Sequence, residues 1–261
     1  MKKAILTVSV LVLGVILVSV FMAGCIGTTA DGQKDGRIVL MNAIKNSKSV
    51  VSSESSYETS FNVGGLIINM KTDIWDKVGK SRIDLTGKFF GMDLSAKLYK
   101  IGNDSYACTM STGNWTCKQG EENISVTDVV RPFNFDEQEM LEMVTKKAII
   151  IKPEVSEKKI AERTCDNVNI IINSTKLSEL SPESDIAAAT AQMSEGSSEV
   201  LMEQCLDRET GFPLYFRIEG NMTSPITGGI GAMVVEMTAT KYIPNSEISD
   251  ETFKLPVEVS E

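Results

Sequence analysis

The chain contains no histidine. That absence removes Ser-His-Asp and Cys-His nucleophilic catalysis, and every zinc site that needs an imidazole. Aromatic residues are few, at 6% of 261 residues. Basic residues are outnumbered 26 to 35, giving a net charge of −9. An acidic surface is a poor match for nucleic acid or anionic lipid heads, and it favours solubility. No paired-acid motif for carboxylate chemistry stands out. Gly228-Gly229-Ile230-Gly231 lacks the Lys-Ser/Thr pair of a phosphate loop. Asp166-Asn167-Val168-Asn169 offers oxygen ligands without EF-hand spacing. The expectation is a protein that is not an enzyme, with no cofactor, no metal and no nucleic-acid partner.

Charge is also missing from residues 4–24, and here the chain says most about its location. Lys2 and Lys3 precede this run, and it ends Phe21-Met22-Ala23-Gly24-Cys25. A basic opening, an apolar stretch and small residues before a cut describe an export signal. The small pair directly before Cys25 resembles the lipobox of prokaryotic lipoproteins, with Met22 in place of the usual Leu. The resemblance implies that Cys25 carries a lipid. The alternative is an uncleaved transmembrane anchor, since 21 residues at 1.5 Å each reach about 31 Å. Both readings place the rest of the chain outside the cell, on the membrane. The expected organisation is a signal or anchor over 1–24, a Gly/Thr/Asp-rich tether over 25–36, and one domain over 37–261.

Five cysteines leave four once Cys25 is set aside: Cys108, Cys117, Cys165 and Cys205. An even number in an exported domain reads as disulfides, for which three connectivities exist. We expect Cys108–Cys117, because both fall on the arms of one hairpin, and Cys165–Cys205.

The domain alternates between two hydrophobic periods. A helix is expected over 37–49, with Ile38, Met41 and Ile44 on one face and Leu40 beside them. The period then drops to two. Tyr57, Thr59, Phe61 and Val63 alternate with polar neighbours. Gly64-Gly65 is a hairpin signal, and Leu66, Ile68, Met70, Thr72 and Ile74 continue the alternation. Ile83 and Leu85 mark a third strand, a turn is expected at Thr86-Gly87-Lys88, and Met92, Leu94, Ala96 and Leu98 form a fourth. Turns at Gly102-Asn103-Asp104 and residues 111–114 give two more. A second helix is expected over 136–147, with Asp136 and Glu139 as a capping box. Strand signals resume over 148–151 and at Val168, Ile170 and Ile172. Residues 176–198 break the pattern, with a short helix expected over 186–193. Strands return around Met202, Phe216 and Val235. Such alternation means an antiparallel sheet with one apolar face, and the fold class is α+β.

Two segments carry a family resemblance. Cys205-Leu206-Asp207-Arg208-Glu209-Thr210-Gly211-Phe212-Pro213-Leu214 resembles the D-x-x-T-G-x-P hairpin of the LolA/LolB lipoprotein-carrier superfamily. Ile248-Ser249-Asp250-Glu251-Thr252-Phe253-Lys254-Leu255-Pro256 resembles its closing D-x-x-F-x-x-P segment. The resemblance covers about residues 37–256. It implies a strongly curved half-barrel around an apolar cavity, and a hydrophobic ligand such as a lipid or acyl chain, held for transfer or presentation. An acyl anchor on the chain resembles the LolB-type acceptor more than the soluble carrier.

Phe61, Ile68, Met70, Met92, Leu94 and Leu98 are the candidate ligand-binding residues on the apolar face. Thirteen methionines, eleven beyond the signal, suit a site that adapts to varied apolar shapes. The competing reading is a sensor or protein-interaction ectodomain with a filled core. Five Asn-x-Ser/Thr sequons, at Asn103, Asn114, Asn123, Asn173 and Asn221, point to a glycosylated surface. Together with the lipobox-like signal they point to an archaeal cell surface.

Overall fold

A computed structural model describes residues 34–89, 91–111, 113–120, 137–180, 199–223 and 230–257. Helix α1 (Gly36–Ser47) leads into strands β1 (Ser52–Val63), β2 (Leu66–Lys77), β3 (Lys80–Phe89), β4 (Met92–Ile101), β5 (Asp104–Ser111) and β6 (Asn114–Gln119). Helix α2 (Glu137–Thr145) precedes β7 (Ile149–Ile151), β8 (Ser156–Ile160) and β9 (Arg163–Asn173). Helix α3 (Ser174–Leu180) precedes β10 (Glu199–Asp207), β11 (Pro213–Thr223) and β12 (Ile230–Pro244). All twelve strands join one antiparallel sheet, in the order β6-β5-β4-β3-β2-β1-β12-β11-β10-β9-β7, with β8 also on β9. Among the described residues the sheet does not close on itself. With its helices it forms the α+β architecture expected from the alternation, curved as the half-barrel that the resemblance implied.

The apolar face follows the two-residue period. Tyr57, Thr59 and Phe61 on β1 are buried, as are Ile68, Met70, Thr72 and Ile74 on β2. Phe61 lies opposite Ile68 and Val235, so one row runs unbroken across the seam between β2, β1 and β12. Helix α1 packs on β9 and β10, and α2 packs on β7. Among the described residues, no helix is long and apolar enough to cross a membrane.

Both disulfides form as expected. Cys108 sits directly opposite Cys117, with Cα atoms 4.0 Å apart. Cys165 lies diagonally from Cys205, with Cα atoms 5.3 Å apart. Each bond lies within one half of the sheet.

Several expectations need correction. The buried face of α1 is Gly36, Val39, Leu40, Ala43 and Ile44, while Ile38 and Met41 flank it. Thr86, Gly87 and Lys88 form no turn; they belong to β3, and the reversal comes at Gly91. Gly87 is there for close approach, since a Cβ would stand 2.8 Å from the Asn69 carbonyl oxygen. Strand β8 was not expected: Ser156-Glu157-Lys158-Lys159-Ile160 is too polar to alternate. Asp136, the 186–193 helix, Cys25 and the whole of 1–33 lie outside the described residues.

The closing D-x-x-F-x-x-P segment packs on the opposite, polar face of the sheet. Ser249 caps a short 3-10 turn over Asp250–Phe253. Asp250 takes Lys77 at 2.5 Å and Lys80 at 3.0 Å, and these two ammonium groups hold its carboxyl down at about 2. Phe253 is buried. Arg82 donates to the Thr252 carbonyl at 2.8 Å while lying over the rings of Trp75 and Tyr99. Leu255 packs on the cluster of Tyr99 and the Cys108–Cys117 bond.

Candidate functional site

The structure brings four of the six proposed ligand-face residues onto the buried face: Phe61, Ile68, Met70 and Leu98. Leu94 is half-buried and packs against the same core. Met92 does not belong there, being 66% exposed. It pairs with Phe89 beside the β3–β4 turn, where the alternation continues but little remains to bury it. Methionines recur on the face from both halves: Met70, Met202, Met233 and Met237 are all buried. An unbranched thioether fills irregular space and can repack around different apolar shapes.

The D-x-x-T-G-x-P hairpin links this face to helix α1. Asp207 folds the turn: its carboxylate accepts from the Thr210 hydroxyl at 2.8 Å and the Thr210 amide at 2.9 Å. Arg163 reaches both Asp207 oxygens, at 2.6 and 3.0 Å, and also Glu209 at 2.6 Å. Burial alone would raise the Asp207 carboxyl, but the Arg163 fork and the Thr210 bonds outweigh it and hold it below the usual range. Gly211 then turns with φ +71°, directly beneath the Ala43 carbonyl of α1. Phe212 stacks on Tyr242 at 4.2 Å, and the Tyr57 hydroxyl donates to the Pro213 carbonyl at 2.9 Å. Burial pushes the Tyr242 hydroxyl up to about 12. The motif is thus a docking block for α1, with its polar atoms satisfied.

Alongside α1 runs a cleft of about 290 Å³. Ile38, Val39 and Ala43 of the helix and Leu206 of β10 give it an apolar wall, and Asn42 adds an amide. Its mouth is charged. Asp166 accepts Lys34 at 2.7 Å and Arg208 at 2.7 Å, and Arg208 also pairs with Glu157. Burial would raise the Asp166 carboxyl, yet the bonds from Arg208 and Lys34 prevail and lower it. Apolar walls with charges at one end suit an amphiphile better than a fully polar molecule. Sequence reasoning missed these residues, since Lys34 and Asp166 are 132 positions apart. The signal available was Arg208, a cation inside the D-x-x-T-G-x-P motif. Among the described residues, no three His, Cys, Asp or Glu side chains are placed to hold a metal ion.

A pH profile follows from these carboxylates. A carboxyl held low in the folded state stabilises the fold above its unfolded value, and that contribution is lost as pH falls through the folded value. Asp166 and Asp207 therefore put the acid limb below about pH 4. With no histidine and the four domain cysteines oxidised, urea midpoints are expected to stay level from about pH 6 to 8. A clear change of midpoint inside that window would contradict this.

Of the sequons, Asn103 and Asn114 are exposed, while Asn173 and Asn221 are half-buried. Asn123 lies outside the described residues.

No protein-family model and no curated protein matches the sequence. Among solved structures, the chain is similar to MucB at 13% identity and a TM-score of 0.46, over 85% of this chain and 63% of that one, so it spans less than two thirds of MucB. It is similar to the lipoprotein LppX of Mycobacterium tuberculosis at 9% identity and a TM-score of 0.43, over 81% and 95%. It is also similar to a LolA superfamily protein from Nitrosomonas europaea at 8% identity and a TM-score of 0.35, over 85% and 98%. All three TM-scores lie below 0.5.

Proposed function

We propose that this chain is an extracytoplasmic lipoprotein, held to the membrane through Cys25 or a retained N-terminal helix. Its half-barrel binds a hydrophobic ligand, a lipid or acyl chain, without carrying out chemistry on it. The observation that carries the reading is the buried apolar face across β2, β1 and β12, with Ile68, Phe61 and Val235 side by side and methionines contributed from both halves. The cleft beside α1 supports it, offering an apolar wall with Lys34 and Arg208 at its mouth for a polar end. The two motif resemblances agree with it.

The purified protein is expected to take up an environment-sensitive fluorescent fatty acid, with saturable emission and displacement by unlabelled lipid. Native mass spectrometry should show co-purified lipid. No uptake across several chain lengths, together with a lipid-free native mass, would overturn the reading. That outcome would favour the second one, a protein-interaction ectodomain on a filled core. One observation favours that alternative: Phe61, Ile68, Met70 and Leu98 are each 8% exposed or less before any ligand is added.

A further inference from the structure

One amide stands in the middle of the apolar face. Gln204 on β10 is 0% exposed and lies between Met202 and Leu206 on the same side of the strand. Its neighbours across the sheet are Val168 on β9 and Phe216 on β11. The same rung continues through Met237 of β12 and Thr59 of β1 to Met70 of β2.

The two ends of this amide are treated differently. Its Nε2 donates to the Met202 Sδ at 3.1 Å, while its Oε1 is buried with no hydrogen-bond partner. A thioether can only accept, so the NH2 must face the sulfur, and the carbonyl oxygen is the free end. Thr59 and Thr72, buried on the same face, answer the same problem by meeting each other at 3.4 Å. A buried acceptor with its bond unmade lowers stability, and an apolar side chain of similar shape would serve the core better.

We propose that Gln204 is the polar specificity contact of the ligand site. Its carbonyl oxygen accepts a hydrogen bond from a hydroxyl or amide N–H carried on an otherwise apolar ligand. This inference rests on the proposed binding of a hydrophobic ligand by the half-barrel. The ligand class follows from the atom: an acceptor in apolar surroundings suits a neutral donor and repels a carboxylate or a phosphate. Leu206 lines the cleft beside α1, and Gln204 lies two residues further along the same strand, about 7 Å away. A ligand whose apolar body follows β10 inward from the cleft therefore meets this oxygen, while an ionised end would stay with Lys34 and Arg208. Met202 and Met237, unbranched and flexible, can repack to admit it.

The test compares a long-chain primary alcohol with a methyl ether of equal length, which lacks the donor. Each is used to displace a fluorescent fatty acid from the purified protein, from Q204M and from Q204L. The ratio of alcohol to ether affinity is expected to fall roughly 2- to 10-fold in both variants, the worth of one net hydrogen bond, with the ether unmoved. Without ligand, both variants should unfold at a higher urea concentration than the parent. An unchanged ratio in folded variants overturns the assignment to Gln204 and leaves the hydrophobic-ligand reading standing. A lower urea midpoint, or failure to fold, in both variants makes the amide structural and overturns the inference. No uptake of the fluorescent fatty acid by the parent overturns the ligand reading and the inference with it.

Discussion

Replacing Gly211 with alanine is expected to lower the unfolding free energy by about 4 kcal/mol and to release α1 from the sheet. Two effects add. The residue sits at φ +71°, a left-handed conformation that costs an L side chain about 1–2 kcal/mol. The new Cβ would also stand 1.9 Å from the Ala43 carbonyl oxygen and 2.4 Å from its Cα. Those are backbone atoms of a helix, so they cannot swing aside as the tip of a side chain could. Overpacking of this kind costs roughly 1–3 kcal/mol, and here the high end applies. Urea unfolding followed by circular dichroism would measure the loss, and amide exchange across α1 should rise before that of β9 and β10. A stability within about 0.5 kcal/mol of the parent, the range of an ordinary surface change, would refute the docking role.

Removing the Cys165–Cys205 bond as a double serine variant is expected to cost about 4 kcal/mol, from loop-closure entropy over its separation. The separation is 40 residues, against 9 for Cys108–Cys117. The same relation gives about 2.6 kcal/mol for the shorter loop, so the two variants should rank in that order. The longer bond has a further role. It ties β9 to β10 beneath α1, across residues 166–204, which include α3. Its loss should therefore loosen the Asp207–Arg163 fork and the cleft as well. Chemical unfolding of the two double variants at equal pH compares them directly. Equal losses, or a larger loss for Cys108–Cys117, would contradict the loop argument.

Most of the sheet was legible because a two-residue period leaves little ambiguity when one face is apolar. Residues 57–63 and 66–74 read directly as strands, and a strand's register with its neighbour follows from the hairpin. The failures have physical causes. Helix α1 has apolar residues on several sides, so the Ile38–Met41–Ile44 stripe competed with Val39, Leu40 and Ala43, and packing against β9 decided it. Gly87 looked like a turn residue, because a glycine serving close backbone approach carries the same letter. Met92 kept the alternation beyond the point where neighbouring chain could cover it. The disulfides were readable from hairpin geometry and parity. The cleft was not: it joins Lys34, Asp166 and Arg208 only once the sheet has placed them together. The D-x-x-T-G-x-P motif was visible as a pattern, yet its role as a seat for α1 required the Gly211–Ala43 contact.

The strand order also has a consequence for assembly. Strands β1 to β6 pair in sequence as successive hairpins, and so do β9 to β12, so each half is built from local contacts and contains its own disulfide. The halves meet at one seam, β1 against β12, where the Ser52 hydroxyl bonds to the Ser246 carbonyl 194 residues further along. Local hairpins close quickly, whereas a pairing across such a distance is slow. The two half-sheets can therefore zip and oxidise as the chain emerges, but the apolar row stays split until β12 arrives. A chain truncated before residue 230 would retain both bonds and most hairpins while leaving the β1 edge open, and it should be a more aggregation-prone species than the finished protein.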